Sequence, residues 1–298
     1  MTSARDGAAT AAATLVVVLL AAAGVAQAGD PWLDRVRTFE PGTSAGFGAD
    51  RLPRVVLGRP EGLGLKQGST DVVSLGNGGR IVVSFDDNAV VDGDGDDLVI
   101  FENPFLSGSL LFAEVAFVEV SSDGRHWVEF PSNAQTGQGL AGRGPVLSNS
   151  ANGLDPLDPA SGGDRFDLAD VGLDFVRFVR ITDAGDLIDD PGNHVFAGTK
   201  AGFDLDAAAA IHSVPLGCIS GKVANAGLPV AAARVVLRTE GLRRLHRITH
   251  ENGSYRFCHL RPGRDYDLDV DVSGLGSASA ATFIDESQRR VNVDLFLH

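Results

Sequence analysis

The chain has 298 residues, with 39 Asp and Glu against 25 Lys and Arg and a formal net charge of −14. So acidic a chain repels phosphate backbones and attracts cations, which sets nucleic-acid binding aside. The charge is uneven: Gly29 to Val214 carries 13 basic against 29 acidic residues, net −16, whereas Pro215 to His298 carries 11 against 9, net +2, which predicts two units with separate surfaces.

Residues 1–28 read as a signal peptide. Arg5 precedes an apolar run from Ala11 to Val25, and the run ends at Ala26-Gln27-Ala28, a small-x-small cleavage pattern. The run is too short and too rich in alanine for a membrane span, which needs about 20 strongly apolar residues. No later segment qualifies, so the chain is expected not to span a membrane. It is expected to be secreted, extracellular or periplasmic, with attachment at the cell surface as the further option.

Residues 29–214 form the first predicted unit. Long stripes of helical period are absent, and short β-branched stretches alternate with glycine-rich turns, the pattern of a β-sandwich or jelly roll. Strands are predicted at Ile81–Phe85, Leu98–Glu102, Ala113–Ser121, His126–Phe130 and Phe175–Ile181. Asp123-Gly124 marks a hairpin turn. Leu98–Phe101 is apolar throughout and belongs to the core. The stretch from Gln135 to Gly163, rich in Gly, Asn, Ser, Asp and Pro, is a long irregular excursion. Trp127, on a strand after the hairpin, is expected to pack in the core; stacking of Trp127 or Trp32 on a sugar ring is the other reading.

Just before the Leu98 strand comes VVDGDGDDLVIFENPF, residues 90–105. Asp92, Asp94 and Asp96 stand two apart, with Gly93 and Gly95 letting the chain curl, followed by Asp97 and Glu102. Hard cations such as Ca²⁺ take about six to eight oxygen ligands, often from carboxylates so spaced. The EF-hand register fails, because its sixth position would be Asp97 and its twelfth Asn103. A structural calcium site is nevertheless expected on Asp92, Asp94, Asp96, Asp97 and Glu102, with Asp204 and Asp206 of GFDLDA as further ligands. The competing reading is a solvated turn guarding an apolar strand. Glu102 with Glu114 or Asp97 is also a possible carboxylate pair for glycoside hydrolysis.

Two apparent motifs dissolve in context. Gly42-Thr43-Ser44-Ala45-Gly46 fits the hydrolase elbow pattern, but Pro41 before it and Gly46-Phe47-Gly48 after it indicate a loop. His246 and His250 have the spacing of a zinc pair on a helix, yet on a strand they stand about 13 Å apart.

Residues 215–298 form the second predicted unit, a small antiparallel sandwich. Its strands are expected at Cys218–Val223, Ala233–Arg238, Arg247–His250, Ser254–His259, Asp265–Val272 and Arg290–Phe296, with Asn252-Gly253 as a hairpin turn. The two cysteines, Cys218 and Cys258, are expected to form a disulfide in an exported chain; buried free thiols are the alternative.

Residues 217 to about 272 resemble carboxypeptidase regulatory-like domains, also described as a carbohydrate-binding-like or prealbumin-like fold. The resemblance is carried by Gly221-x-Val223, Gly227-x-Pro229-Val230, Ala233-x-Val235, Asn252-Gly253-x-Tyr255-x-Phe257 and Leu260-x-Pro262-Gly263-x-x-Tyr266. It implies an accessory module that docks, spaces or binds, without catalytic residues of its own. Most of residues 55 to 212 resembles bacterial secreted and cell-surface proteins of no established activity, through VSLGNGGRIVVSF, DGDGDDLVIFENPF, AEVAFVEVSSDGRHWVEFP, GGDRFDLADVGL and GFDLDA. The hairpin VEVSSDGRHWVEF, with FVRFVRITD after it, is also similar to discoidin-like, galactose-binding jelly rolls.

The chain is therefore expected to be all-β: an N-terminal jelly-roll-like β-sandwich followed by a small Ig- or prealbumin-like one. The expected function is non-catalytic binding of a carbohydrate or cell-envelope component, with Ca²⁺ as a structural cofactor. A secreted hydrolase acting on glycan or peptide through the acidic cluster, or a purely structural envelope protein, are the alternatives.

Overall fold

The structure, a computed structural model, describes residues 29–133, 136–185, 202–240 and 243–298. The expected signal peptide, residues 1–28, lies outside the described residues. Within them the chain is built of β-strands joined by turns, and helical structure is confined to 3₁₀ segments of three or four residues. Among the described residues no helix is long and apolar enough to cross a membrane.

In the first unit a five-stranded antiparallel sheet runs in the order Arg35–Glu40, Arg80–Ser84, Phe178–Asp183, Ala116–Ser121, Val128–Glu129. Facing it are two three-stranded antiparallel sheets. One has Leu98–Phe101 between Asp164–Phe166 and Ala207–Ala210, and the other has Asn88–Val91 between Phe175–Val176 and Ser213–Pro215. The alternation of side chains along each strand supplies the core. Ile81, Val83, Val118, Val120, Val179 and Ile181 point inward from the first layer to meet Leu98, Ile100, Ala208 and Ala210 of the second.

The Leu98 strand is apolar throughout because both of its faces are covered. Leu98 and Ile100 enter the main core, whereas Val99 and Phe101 point the other way, into a second cluster with Val146, Ala207 and Ala209. Val146 and the half-buried Leu157 belong to the irregular excursion, which thus acts as a third layer.

Three expectations need correction. The predicted strand Phe175–Ile181 is two strands. The chain changes sheets at Arg177, whose N–H donates to the Ser121 carbonyl and whose carbonyl accepts from Phe85. The predicted strand Ala113–Ser121 begins at Ala116, and only one of its faces, that of Ala116, Val118 and Val120, enters the main core. Trp127 is only half-buried and lies on the outer face of the sheet, where the Arg180 guanidinium stacks 4.4 Å from its ring centroid and also pairs with Glu119, its cross-strand neighbour.

The second unit is a smaller sandwich with a separate core of Ile219, Val223, Val235, Leu237, Tyr255, Phe257, Tyr266 and Leu268, among others. Its first sheet centres on Gly217–Asn225, paired antiparallel with Ser254–Leu260 and parallel with Arg290–Asn292 and Leu295–Leu297. The second runs Leu245–Ile248, Arg234–Arg238, Arg264–Val272, Gly276–Ile284. Cys218 and Cys258 are directly opposed in register and form a disulfide. The strand Gly276–Ile284 is not legible in the sequence: GSASAATFI alternates small residues and lacks the bulky β-formers that mark the others.

A single residue, Leu216, separates the last strand of the first unit, Ser213–Pro215, from the first strand of the second, Gly217–Asn225. Its N–H donates to the Asp87 carbonyl.

Candidate functional site

The seven carboxylates expected to hold a metal divide among different places. In the Asp-Gly loop, Asp97 turns inward and is fully buried, while Asp92, Asp94 and Asp96 are exposed. Asp97 Oδ1 accepts the Gly93 N–H at 2.8 Å and lies 2.7 Å from His212 Nδ1, and Oδ2 accepts the Leu168 N–H at 2.8 Å. Its main chain binds the same two segments, its carbonyl accepting from the Ile211 N–H at 2.7 Å and its N–H donating to the Phe166 carbonyl at 2.9 Å. Asp97 therefore fastens the loop to two distant segments. Of the loop's other carboxylates, only Asp92 joins it within a cation's reach. The third member of that group is Asp167, whose Oδ1 also caps the 3₁₀ turn Leu168–Val171 through the Ala169 N–H. Asp94 and Asp96 stand outside this cluster, as alternate loop positions turned to water.

Glu102 and Asp204 meet elsewhere, with Glu114. Each offers a carboxylate oxygen, and the three oxygens lie within 4.8 Å of one another. Three separate segments deliver them. Glu102 follows directly on the twice-covered strand Leu98–Phe101, which carries it inside, so that it is 2% exposed. Asp204 opens the strand Asp204–Leu205, paired with Val73–Ser74. Glu114 lies between the hairpin Phe105–Phe112 and the strand from Ala116, and its Oε1 accepts the Gly202 N–H at 2.7 Å.

The electrostatics of Glu102 and Asp204 within this group are unfavourable. Glu102 Oε1 accepts the Asp204 N–H at 3.4 Å, and Oε2 is buried with no hydrogen-bond partner. Burial first, and then the charges of Asp204 and Glu114, hold the Glu102 carboxyl well above the usual carboxylate range. Burial and the Asp183 charge push Asp204 up to about 6, against hydrogen bonds from Ser74 and Asn103 that favour its ionised form. Asn103 is itself held by Ser69, donating to the Ser69 carbonyl at 2.9 Å and accepting the Ser69 N–H.

Asp206 belongs to neither group. It is buried, both of its oxygens accept the Glu61 N–H at 3.1 Å, and burial raises its carboxyl well above the ordinary value. Glu114 was legible as a carboxylate partner of Glu102 but not as a metal ligand, and Asp167 was not singled out at all, since tertiary packing brings it from a remote segment.

A concavity lies between the two sandwiches. It is a cleft of about 870 Å³, bordered by Asp174 and Phe175 from the first unit and by Arg238, Glu240, Arg261 and Asp267 from the second. Asp174 spans it at one edge, pairing with Arg261 Nη1 at 2.7 Å and with Arg264. The Arg261 guanidinium stands 5.8 Å over the Phe175 ring. The other motifs behave as loops and surface: Gly42–Gly46 is irregular, with Thr43 bridging Asn77, and His246 and His250 are both exposed.

No protein-family model matches the chain, and no curated protein matches it in sequence. Among solved structures, it is similar to the pilus 2b backbone protein of group B streptococcus, at 11% identity and a TM-score of 0.24 over 75% of this chain and 94% of that one. It is also similar to a pilus adhesin of Streptococcus pneumoniae, at 12% identity and a TM-score of 0.20 over 72% of this chain and 33% of that one. The dioxygenase domain of a dioxygenase carbohydrate-binding protein fusion from a cellulolytic Streptomyces matches 28% of this chain and 79% of its own length, at 16% identity and a TM-score of 0.23. Likeness at these scores goes no further than β-rich architecture, which the strands establish on their own.

Proposed function

We propose that this chain is a secreted or cell-surface binding protein without catalysis, that it takes a carbohydrate or another polar component of the cell envelope, and that a divalent cation, Ca²⁺, steadies its first sandwich. The observation that carries the reading is the cleft between the two sandwiches. A volume of about 870 Å³ accommodates several sugar rings' worth of polar ligand, and junctions between domains are a favoured place for such sites. Its walls alternate guanidinium and carboxylate groups, whose paired donors and acceptors match vicinal hydroxyls. The likeness of residues 217–272 to carboxypeptidase regulatory-like modules supports an accessory role, and the Cys218–Cys258 disulfide suits an oxidising compartment outside the cytosol.

The hydrolase reading draws on the closeness of Glu102 and Glu114. At 2% exposure, however, Glu102 has no open face toward a glycosidic bond. The test is a glycan and cell-wall polysaccharide array probed with the intact chain and with a Glu240→Ala, Asp267→Ala variant, two exposed cleft positions. Binding by the parent chain that the double variant loses is the expected result. A parent chain that binds no polysaccharide or envelope preparation overturns the reading, and turnover of a bound glycan would reinstate the hydrolase.

A further inference from the structure

The cation assigned above to the first sandwich has two candidate seats, and their chemistry differs. We infer that it sits between Glu102, Glu114 and Asp204, where the end of the Leu98–Phe101 strand, the segment after the Phe105–Phe112 hairpin and the Asp204–Leu205 strand converge, and that the Asp-Gly loop is a structural turn. This inference rests on the cation part of the proposed function and is independent of the glycan part.

Three observations carry it. The first is the geometry: three carboxylate oxygens from three segments lie within 4.8 Å of one another, the separation at which one central ion can touch them all. The second is the state of Glu102. Its Oε2 is buried and accepts no hydrogen bond, and among the described residues no cationic side chain pairs with Glu102 or Asp204. A buried polar atom without a partner is unfavourable, and a buried anion among like charges more so, unless a positive ion fills the gap. The third is the contrast with the loop. Both oxygens of Asp97 are already committed to Gly93, Leu168 and His212, so the one buried carboxylate there has protein partners in the directions an ion would need.

The ligand atoms define the class of ion. Carboxylate oxygens with no thiolate or imidazole among them select a hard divalent cation. Irregular segments suit the flexible coordination of calcium better than the strict octahedron of magnesium, with carbonyl oxygens and water completing the shell. Glu114 and Asp204 are only half-buried, which leaves an entry path from solvent. A bound ion would clamp Asp204, and with it the return strand Ala207–Ala210, onto the strand bearing Glu102.

The rival explanation is a proton shared among the three carboxyl groups, and one experiment separates the two. The intact chain is stripped with EDTA, and melting temperature and ⁴⁵Ca²⁺ binding by equilibrium dialysis are measured at neutral pH for the parent, for Glu102→Gln, for Glu114→Gln and for an Asp92→Asn, Asp167→Asn double variant, which removes two of the three carboxylates of the loop cluster. The expected result is one calcium per parent chain and a rise in melting temperature. Binding should weaken by roughly tenfold or more in each Gln variant, a loss typical of disturbed metal sites, and stay unchanged in the double variant. Glu114→Gln, at the half-buried position, keeps the test open should Glu102→Gln fail to fold. A parent chain that binds no calcium and gains no stability overturns the inference. So does calcium binding lost in the double variant and kept in both Gln variants, or a calcium-independent gain in stability from Glu102→Gln, the mark of the shared proton. Failure to bind glycans leaves all of these readouts untouched.

Discussion

His212 Nδ1 lies 2.7 Å from Oδ1 of Asp97, a carboxylate with no solvent exposure. The contact closes a bracket in which one side chain holds its own loop, through the Gly93 N–H, to two remote segments, through the Leu168 N–H and the ring of His212. Hydrogen bonds to an ionised acceptor are roughly twice as strong as neutral ones, and their loss leaves buried donors unsatisfied. Asp97→Ala is therefore expected to destabilise the first sandwich by about 1–3 kcal/mol, the cost of leaving the buried Leu168 N–H without its acceptor. Asp94→Asn, at an exposed position without this role, should fall within about 0.5 kcal/mol of the parent. Urea titration of both variants checks the contrast.

Without a bound cation the chain should show a pH dependence of unusual sign. Asp204 is pushed up to about 6 and Glu102 well above its ordinary value, chiefly by burial. In each case the folded chain holds its proton more tightly than the unfolded one. Their contribution is greatest below the unfolded values, and it is lost as pH rises through about 6 and above. The EDTA-treated chain should melt at a higher temperature at about pH 5 than at about pH 7.5, and calcium should shrink the difference by stabilising the ionised cluster. Calorimetry at the two values, with and without the ion, reads it.

Asp174 reaches across the junction to Arg261 and Arg264 while 63% of its own side chain is exposed. Exposed ion pairs contribute about 0–1 kcal/mol. Asp174→Ala should thus leave the melting temperature nearly unchanged, yet loosen the angle between the sandwiches and alter the cleft. Small-angle X-ray scattering should show a broader distance distribution for the variant at unchanged secondary structure.

The disulfide closes a segment with a sequence separation of 40 in the second sandwich alone. Cys218→Ser with Cys258→Ser should cost about 4 kcal/mol by the chain-entropy estimate. The loss should appear in the transition of the second unit, while that of the first stays in place. Calorimetry of the double variant, with circular dichroism to follow refolding, checks both parts.

Much of the fold was legible because it is written in local alternation. Leu98–Phe101 and Phe178–Asp183 carry runs of bulky β-formers, and Asp123-Gly124 takes the predicted turn, with Gly124 at φ 71°. Gly276–Ile284 escaped notice because alanine, serine and threonine fill its alternating positions. Arg177 gave no local sign that the chain changes sheets there. The candidate site was half legible. Glu102 could be named because it follows an apolar strand into the interior, but spacing of two along a loop is also the spacing that sends Asp94 and Asp96 to water. Glu114 and Asp167 are brought in by tertiary packing, which no local pattern encodes.

In the second sandwich the opening strand Gly217–Asn225 runs parallel to Arg290–Asn292 and Leu295–Leu297, so its beginning and the end of the closing strand lie at opposite ends of one ladder. A pull that draws the segment around Leu297 away from Gly217 acts along the strands and loads the rungs between them together, as a lap joint carries shear. Had the same strands been antiparallel, the pull would have met the rungs singly, like the teeth of a zip. The direction of one short terminal strand thus decides how this module would answer mechanical tension.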